Sequence, residues 1–189
     1  MKHGVYRFYR WKPDPPESPI DEWSVPPEHI YWTPAWRHPL PIGCYSPKFL
    51  IWFLFHQLGV FHSKGYAVLL IRRGERVIHR TCVFPRFFRF PFMDVSDLQV
   101  GDIWTDPAAR GEGLATTALE FICRMHASRN RTLWYLVEED NRPSVKVAEK
   151  NGFQWVGCGT KHPRWGFRQF GYYSIDEPVQ AVGEASDSR

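Results

Sequence analysis

The sequence predicts an α/β fold of the α+β kind, a mixed and mostly antiparallel sheet that carries helices. Three observations predict it. Residues 66–71 and 76–83 are two β-rich runs joined by Arg73-Gly74-Glu75, the pattern of an antiparallel hairpin. Leu114, Ala118, Phe121, Ile122 and Met125 recur at helical spacing within residues 111–128. Between a strand over 97–105 and that helix lies a tight loop with two glycines, Gly111 and Gly113.

The remaining elements follow in order. Residues 2–11 alternate aromatic and basic side chains and read as a short strand. Ten of the sixteen prolines fall between Pro13 and Pro47. Proline fixes φ, removes a donor and disfavours helix in the residue before it, so this stretch is an extended wrap, packed through Trp23, Trp32 and Trp36. Ser46-Pro47 opens a helix that runs to Leu58 and stops at Gly59. Residues 86–93 form an aromatic loop. Residues 132–137 read as a buried strand and 143–151 as a short helix ended by Gly152. The last strands are 153–158 and 167–175, and the acidic tail 176–189 is expected to fray. The elements make one domain over 1–175, with no internal repeat.

Composition narrows the function classes. Of 189 residues, 43% are hydrophobic and 16% aromatic, too much apolar surface for a disordered chain. The net charge of +4 divides unevenly: residues 1–92 hold 13 Lys/Arg and 6 Asp/Glu (+7), residues 93–189 hold 11 and 14 (−3). With no basic run, a nucleic-acid partner is not expected. Cys44, Cys82, Cys123 and Cys158 lie 38, 41 and 35 positions apart, so they read as reduced thiols in a cytoplasmic protein, with no metal site. The N-terminus lacks the apolar core of a signal peptide, and the apolar run 49–61 is too short to span a bilayer.

The most informative stretch is Ile103-Trp104-Thr105-Asp106-Pro107-Ala108-Ala109-Arg110-Gly111-Glu112-Gly113-Leu114-Ala115. A strand, a glycine loop and a helix start present several backbone N–H groups to one concavity at the positive end of the helix, which suits an anionic phosphate. Glycine lets the backbone approach a pyrophosphate that a Cβ would fend off. Taken alone, the pattern also fits a plain tight turn.

About thirty residues on come Asn141-Arg142-Pro143-Ser144 and Glu149-Lys150-Asn151-Gly152-Phe153. With these, the chain resembles the GNAT superfamily of acyl-CoA-dependent N-acetyltransferases. Arg110-Gly111-Glu112-Gly113-Leu114-Ala115 fits its Arg/Gln-x-x-Gly-x-Gly/Ala signature. The resemblance covers residues 66–175 and is most specific over 97–153. It implies helices on both faces of the sheet, a V-shaped splay between the strands 97–105 and 132–137, and acetyl-CoA as cosubstrate. Ile103, Trp104 and Thr105 would pair with the pantetheine amides as an added strand. Arg110, Gly111, Glu112, Gly113, Leu114, Ala115 and Thr116 would surround the pyrophosphate, and Asn141 and Ser144 would meet the pantetheine arm. Asn141 has a second reading as a helix cap. By the same resemblance residues 66–175 form the acyl-CoA core and residues 1–65 the acceptor side, and a homodimer stays open.

Acetyl transfer needs a neutral amine and an oxyanion donor, and is helped by a base and by an acid for the departing thiolate. The tyrosine that many members use as that acid is matched here by Ala148, and a glutamate base by Gln99. Tyr135 or Tyr172 could supply the proton instead. His79, Asp97, Asp102 and Glu138 are candidates for the base, and each also reads as an ordinary structural residue. Aromatic residues and Arg in the N-terminal half and in the loop 86–93 suit an acceptor with a ring and an anionic group. The run from Phe88 to Thr105 also resembles acetyltransferases encoded among bacterial surface-polysaccharide genes. The expected function is transfer of acetyl to a primary amine of a small molecule, an amino sugar or sugar nucleotide being one candidate. The alternative is an acyl-CoA-binding sensor or scaffold without catalysis.

Overall fold

The structure is a computed structural model that describes residues 4–13, 26–44, 46–127 and 131–178. The predicted hairpin is formed by β3 (Ala67–Arg73) and β4 (Arg76–Pro85), antiparallel about a turn in which Gly74 has φ +61°. A left-handed turn residue is cheapest as glycine. Five consecutive residues of β3, Ala67 to Ile71, are buried, as expected of a strand covered on both faces. Around it lie β1 (Val5–Trp11), β2 (His29–Trp32), β5 (Leu98–Thr105), β6 (Leu133–Glu138), β7 (Gln154–Arg164) and β8 (Phe167–Pro178). They form one eight-stranded sheet in the order β2-β3-β4-β5-β6-β1-β7-β8. Every neighbouring pair is antiparallel except β5 with β6.

Side chains alternate between the faces of each strand, and this builds two cores. Leu69, Val100, Leu133, Tyr135 and Val137 join Ala118, Leu119 and Ile122 of α2 (Leu114–Ala127) and Val145 and Ala148 of α3 (Arg142–Lys150). Val68, Leu70, Cys82, Phe84 and Trp134 join Phe49 of α1 (Pro47–Gln57) and Phe87, Phe90 and Met93 of the aromatic loop. The helices therefore lie on both faces.

Several boundaries depart from expectation. The proline-rich stretch contributes β2, an edge strand hidden by its shortness and flanking prolines. Trp32 is buried, but Trp36 is 77% exposed, touching Phe53 edge-on rather than sealing a core; Trp23 lies outside the described residues. In α1 only Phe49 and Phe53 are buried. The helix after the glycine loop begins at Leu114, because Gly111 and Gly113 hold φ of +87° and +81°. β7 runs six residues past 158, and β8 reaches Pro178, into the expected tail; residues 179–189 are not described. The four cysteines are free thiols, and Cys44, Cys82 and Cys123 are buried. No described helix is long and apolar enough to cross a membrane.

Candidate active site

β5 and β6 are paired over only three positions, Leu98↔Leu133, Gln99↔Trp134 and Val100↔Tyr135. Both strands continue, but the ladder ends there. The register of β5 against β4 also shifts, between Arg80 and Cys82, opposite Gly101 to Trp104. Asp102 in that interval has φ +47°, the left-handed region that is unusual for a residue with a Cβ. A bulge of this kind bends a strand and redirects its side chains. Lys48 donates to Asp102, with Nζ 2.7 Å from the nearer carboxylate oxygen, and Arg80 stands 3.8 Å from the same carboxylate. The ion pairs hold the bulge from the α1 side.

The gap separates two cavities on opposite faces of the sheet. The larger, about 770 Å³, lies on the α2–α3 face. Its lining includes Ile103, Trp104, Thr105, Arg110, Gly111, Gly113, Leu114, Ala115, Thr116, Tyr135, Asn141 and Ser144. Among the twelve residues expected around acyl-CoA, Glu112 alone is outside this lining; it pairs with Arg73 on the surface. The loop is braced from below. Asp106 accepts from Ala108 N–H at 3.0 Å and from Arg76 at 2.6 Å, contacts that hold its carboxyl below the usual range, while its own N–H donates to Ile78. The amides of residues 111–115 donate to no backbone carbonyl among the described residues. A Cβ on Gly111 or Gly113 would meet no protein atom within 4 Å. Unclaimed donors, a helix N-terminus and open space fit the pyrophosphate of an acyl-CoA. Asn141 also serves as a cap, accepting from Ser144 N–H at 3.3 Å.

The smaller cavity, about 330 Å³, lies on the α1 face and is lined by Tyr6, Lys48, Trp52, Phe84, Phe87, Arg89, Phe90, Gln99, Gly101, Asp102, Leu136 and Tyr173. Adjacent residues divide between the two: Ile103 and Tyr135 line the first, Asp102 and Leu136 the second. Tyr135 stands at the last rung of the ladder. Burial pushes its phenol up to about 12, against a hydrogen bond with Ser144 that lowers it.

The other catalytic candidates lie elsewhere. His79 is fully buried, with Nδ1 2.8 Å from Thr105 Oγ1 and Nε2 2.9 Å from Thr81 Oγ1. Burial pushes its pKa down to about 4. With both nitrogens engaged and no exposure, it lines neither cavity. Asp97 is buried and accepts from Trp134 Nε1 at 2.8 Å and from the Asp94 amide at 3.0 Å, which ties the aromatic loop to β6. Glu138 accepts from the Tyr6 hydroxyl at 3.3 Å and lines neither cavity. Ala148 is sealed in the core, and Gln99 donates to the Val100 carbonyl at 2.6 Å. Tyr172 is stacked on His162 in the β7–β8 hairpin, outside both cavities. Reading the sequence missed Lys48, Trp52, Arg89 and Tyr173 as individuals, because three separate segments bring them together. Among the described residues no group of three or more His, Cys, Asp or Glu is placed to hold a metal ion.

The family described as acetyltransferase (GNAT) matches residues 4–153 of the chain. Among solved structures, a GCN5-related N-acetyltransferase from Sphaerobacter thermophilus is 13% identical with a TM-score of 0.53, covering 84% of this chain and 50% of that one. An acetyltransferase of the GNAT family from Colwellia psychrerythraea is 12% identical with a TM-score of 0.49, covering 82% and 53%. The chain thus spans about half the length of each. No curated protein matches it.

Proposed function

The chain belongs to the acetyltransferase (GNAT) family, and from that membership we propose that it moves an acetyl group from acetyl-CoA to a primary amine of a small molecule by direct transfer. The observation that carries this reading is the end of the β5–β6 ladder at Val100↔Tyr135, with a cavity on each face of the sheet beside it. Acetyl-CoA would lie in the larger cavity, its diphosphate on the amides of residues 111–115 and its pantetheine arm along Ile103 to Thr105. The amine would enter from the smaller one. Its nitrogen bonds to the thioester carbonyl carbon, the carbon–sulfur bond breaks, the amine releases a proton to water and the thiolate takes one up. Tyr135, which burial keeps protonated at neutral pH, is the donor we infer for that last proton. A cavity of about 330 Å³, at the lower end of small-molecule sites (~300–1,000 Å³), favours a compact amine over a sugar nucleotide.

Two observations favour a second reading, an acyl-CoA-binding module without turnover: Ala148 is sealed in the core, and Gln99 replaces a carboxylate. Thiol release from acetyl-CoA with a panel of amines separates the readings, with binding measured in parallel. The transferase reading expects turnover that falls about 10²–10⁴-fold in Tyr135→Phe. Gly113→Trp, which places a large side chain at positive φ in the cleft, should weaken acetyl-CoA binding by at least about tenfold. Tight binding with no turnover of any amine selects the module. Unchanged affinity in Gly113→Trp overturns the cleft assignment.

A further inference from the structure

α1 is apolar all round, yet only one of its sides is covered. Phe49 and Phe53 are its buried side chains. At ~100° per residue, Leu50, Ile51, Leu54 and Leu58 lie on the opposite side. All four are exposed, Leu58 to 75%, and none joins either core. A helix at the surface of a domain ordinarily turns charged side chains to this side, and one that is apolar all round is covered by something. Trp36 extends the patch, its exposed ring set edge-on to Phe53 at 5.4 Å. None of these outward residues lines a described cavity, so the face is the convex side of a helix and not a groove.

The charge around the patch selects its occupant. Residues 29–74 contain no Asp or Glu. Exposed Arg37 follows Trp36 at one flank, and exposed Lys64 stands at the end of the helix, its Nζ donating to the His56 carbonyl at 3.0 Å. A second copy docked about a two-fold axis would set this patch on itself and bring like charges together, with no carboxylate in the segment to answer them. An anionic lipid surface answers both needs: its acyl region takes the leucines, its headgroups take the cations, and an indole suits the boundary. We propose that the outer face of α1 docks on an anionic lipid membrane. At 11 residues the helix is about 16 Å long and lies in the plane of the interface rather than across it. The same helix lends Lys48 and Trp52 to the smaller cavity, so the docked face and that cavity share one element. Nothing in this docking depends on acyl transfer.

Co-sedimentation with vesicles tests it, using phosphatidylcholine alone and phosphatidylcholine with about 30% phosphatidylglycerol. Wild-type protein is expected to bind the anionic vesicles at least about tenfold more tightly than the neutral ones. Leu50→Gln with Leu54→Gln should weaken binding to anionic vesicles by at least about tenfold; both positions are exposed, and glutamine is a good helix former. Arg37→Gln with Lys64→Gln should weaken it about 10–30-fold while moving neutral-vesicle binding less than about threefold. No binding to anionic vesicles, equal binding to the two compositions, or unchanged binding in either variant overturns the proposal. A dimer in sedimentation equilibrium that the leucine changes return to monomer, without vesicle binding, assigns the face to a second copy and overturns it too. Should the leucine double variant fail to fold, Leu58→Gln, at the most exposed of the four positions, is expected to weaken binding about 3–10-fold. No change there overturns the proposal equally.

Discussion

His79 and Asp97 show how the same side chains serve structure or chemistry according to what surrounds them. Imidazole beside a predicted cleft reads as a base, yet His79 has Thr105 and Thr81 on its two nitrogens and no contact with water. Its cost and benefit are those of a buried neutral histidine. The unfolded chain takes up this proton near pH 6.5 and the folded chain only near 4. Between those values the unfolded state binds more protons, so stability is fully present above about pH 6.5 and falls as the pH drops toward 4, by up to about 3 kcal/mol from this group. His29 and His56 are shifted in the same direction by burial. Urea unfolding at pH 7 and 4.5 should show a smaller acid loss in His79→Gln than in the wild type. Equal losses would show that His79 does not carry this part of the acid sensitivity. Thr81 lies two residues from His79 on the same strand and face, but the partner Thr105 was not legible in the sequence, since it depends on the β4–β5 register.

At the level of elements, the hairpin, the glycine loop and α2 were legible because each has a local cause: a turn residue, a phosphate-loop pattern, a helical period. β2 was not, because four residues set among prolines carry no period. The length of β7 was not either, since its second half is stabilised by pairing with β8 rather than by its own apolar pattern. Gly159 marks that pairing. A Cβ there would fall on the Ser174 carbonyl oxygen of β8 and within 2.7 Å of the Phe8 ring of β1. Gly159→Ala must therefore push three strands apart, costing about 1–3 kcal/mol and lowering Tm by about 3–10 °C. Melting coincident with the wild type would show that β1, β7 and β8 are looser than this packing implies. For the candidate site, the larger cavity is lined by a contiguous motif that could be read from the sequence, whereas the smaller one gathers Tyr6, Trp52, Arg89 and Tyr173 from distant segments and could not be.

For the whole molecule, the uneven charge along the chain does not map onto two halves of the fold. The basic N-terminal portion supplies both β1, deep in the C-terminal part of the sheet, and Lys48 and Arg89 beside the smaller cavity. The larger cavity takes its donors from backbone amides, with Arg110 as the cation in its lining.

The position of β1 also imposes an order on biosynthesis. Val5–Trp11 leaves the ribosome before either of its neighbours, yet it is hydrogen-bonded between Leu133–Glu138 and Gln154–Arg164. For more than a hundred residues of translation its aromatic and basic side chains wait without their strands, and long-range closure of this kind is slow. Nascent chains stalled with residue 120 just outside the exit tunnel should be cut by protease near Arg7 and Arg10. Chains stalled with residue 164 exposed should resist. Protection already present at the shorter length would mean that β1 finds a temporary partner before its own are made.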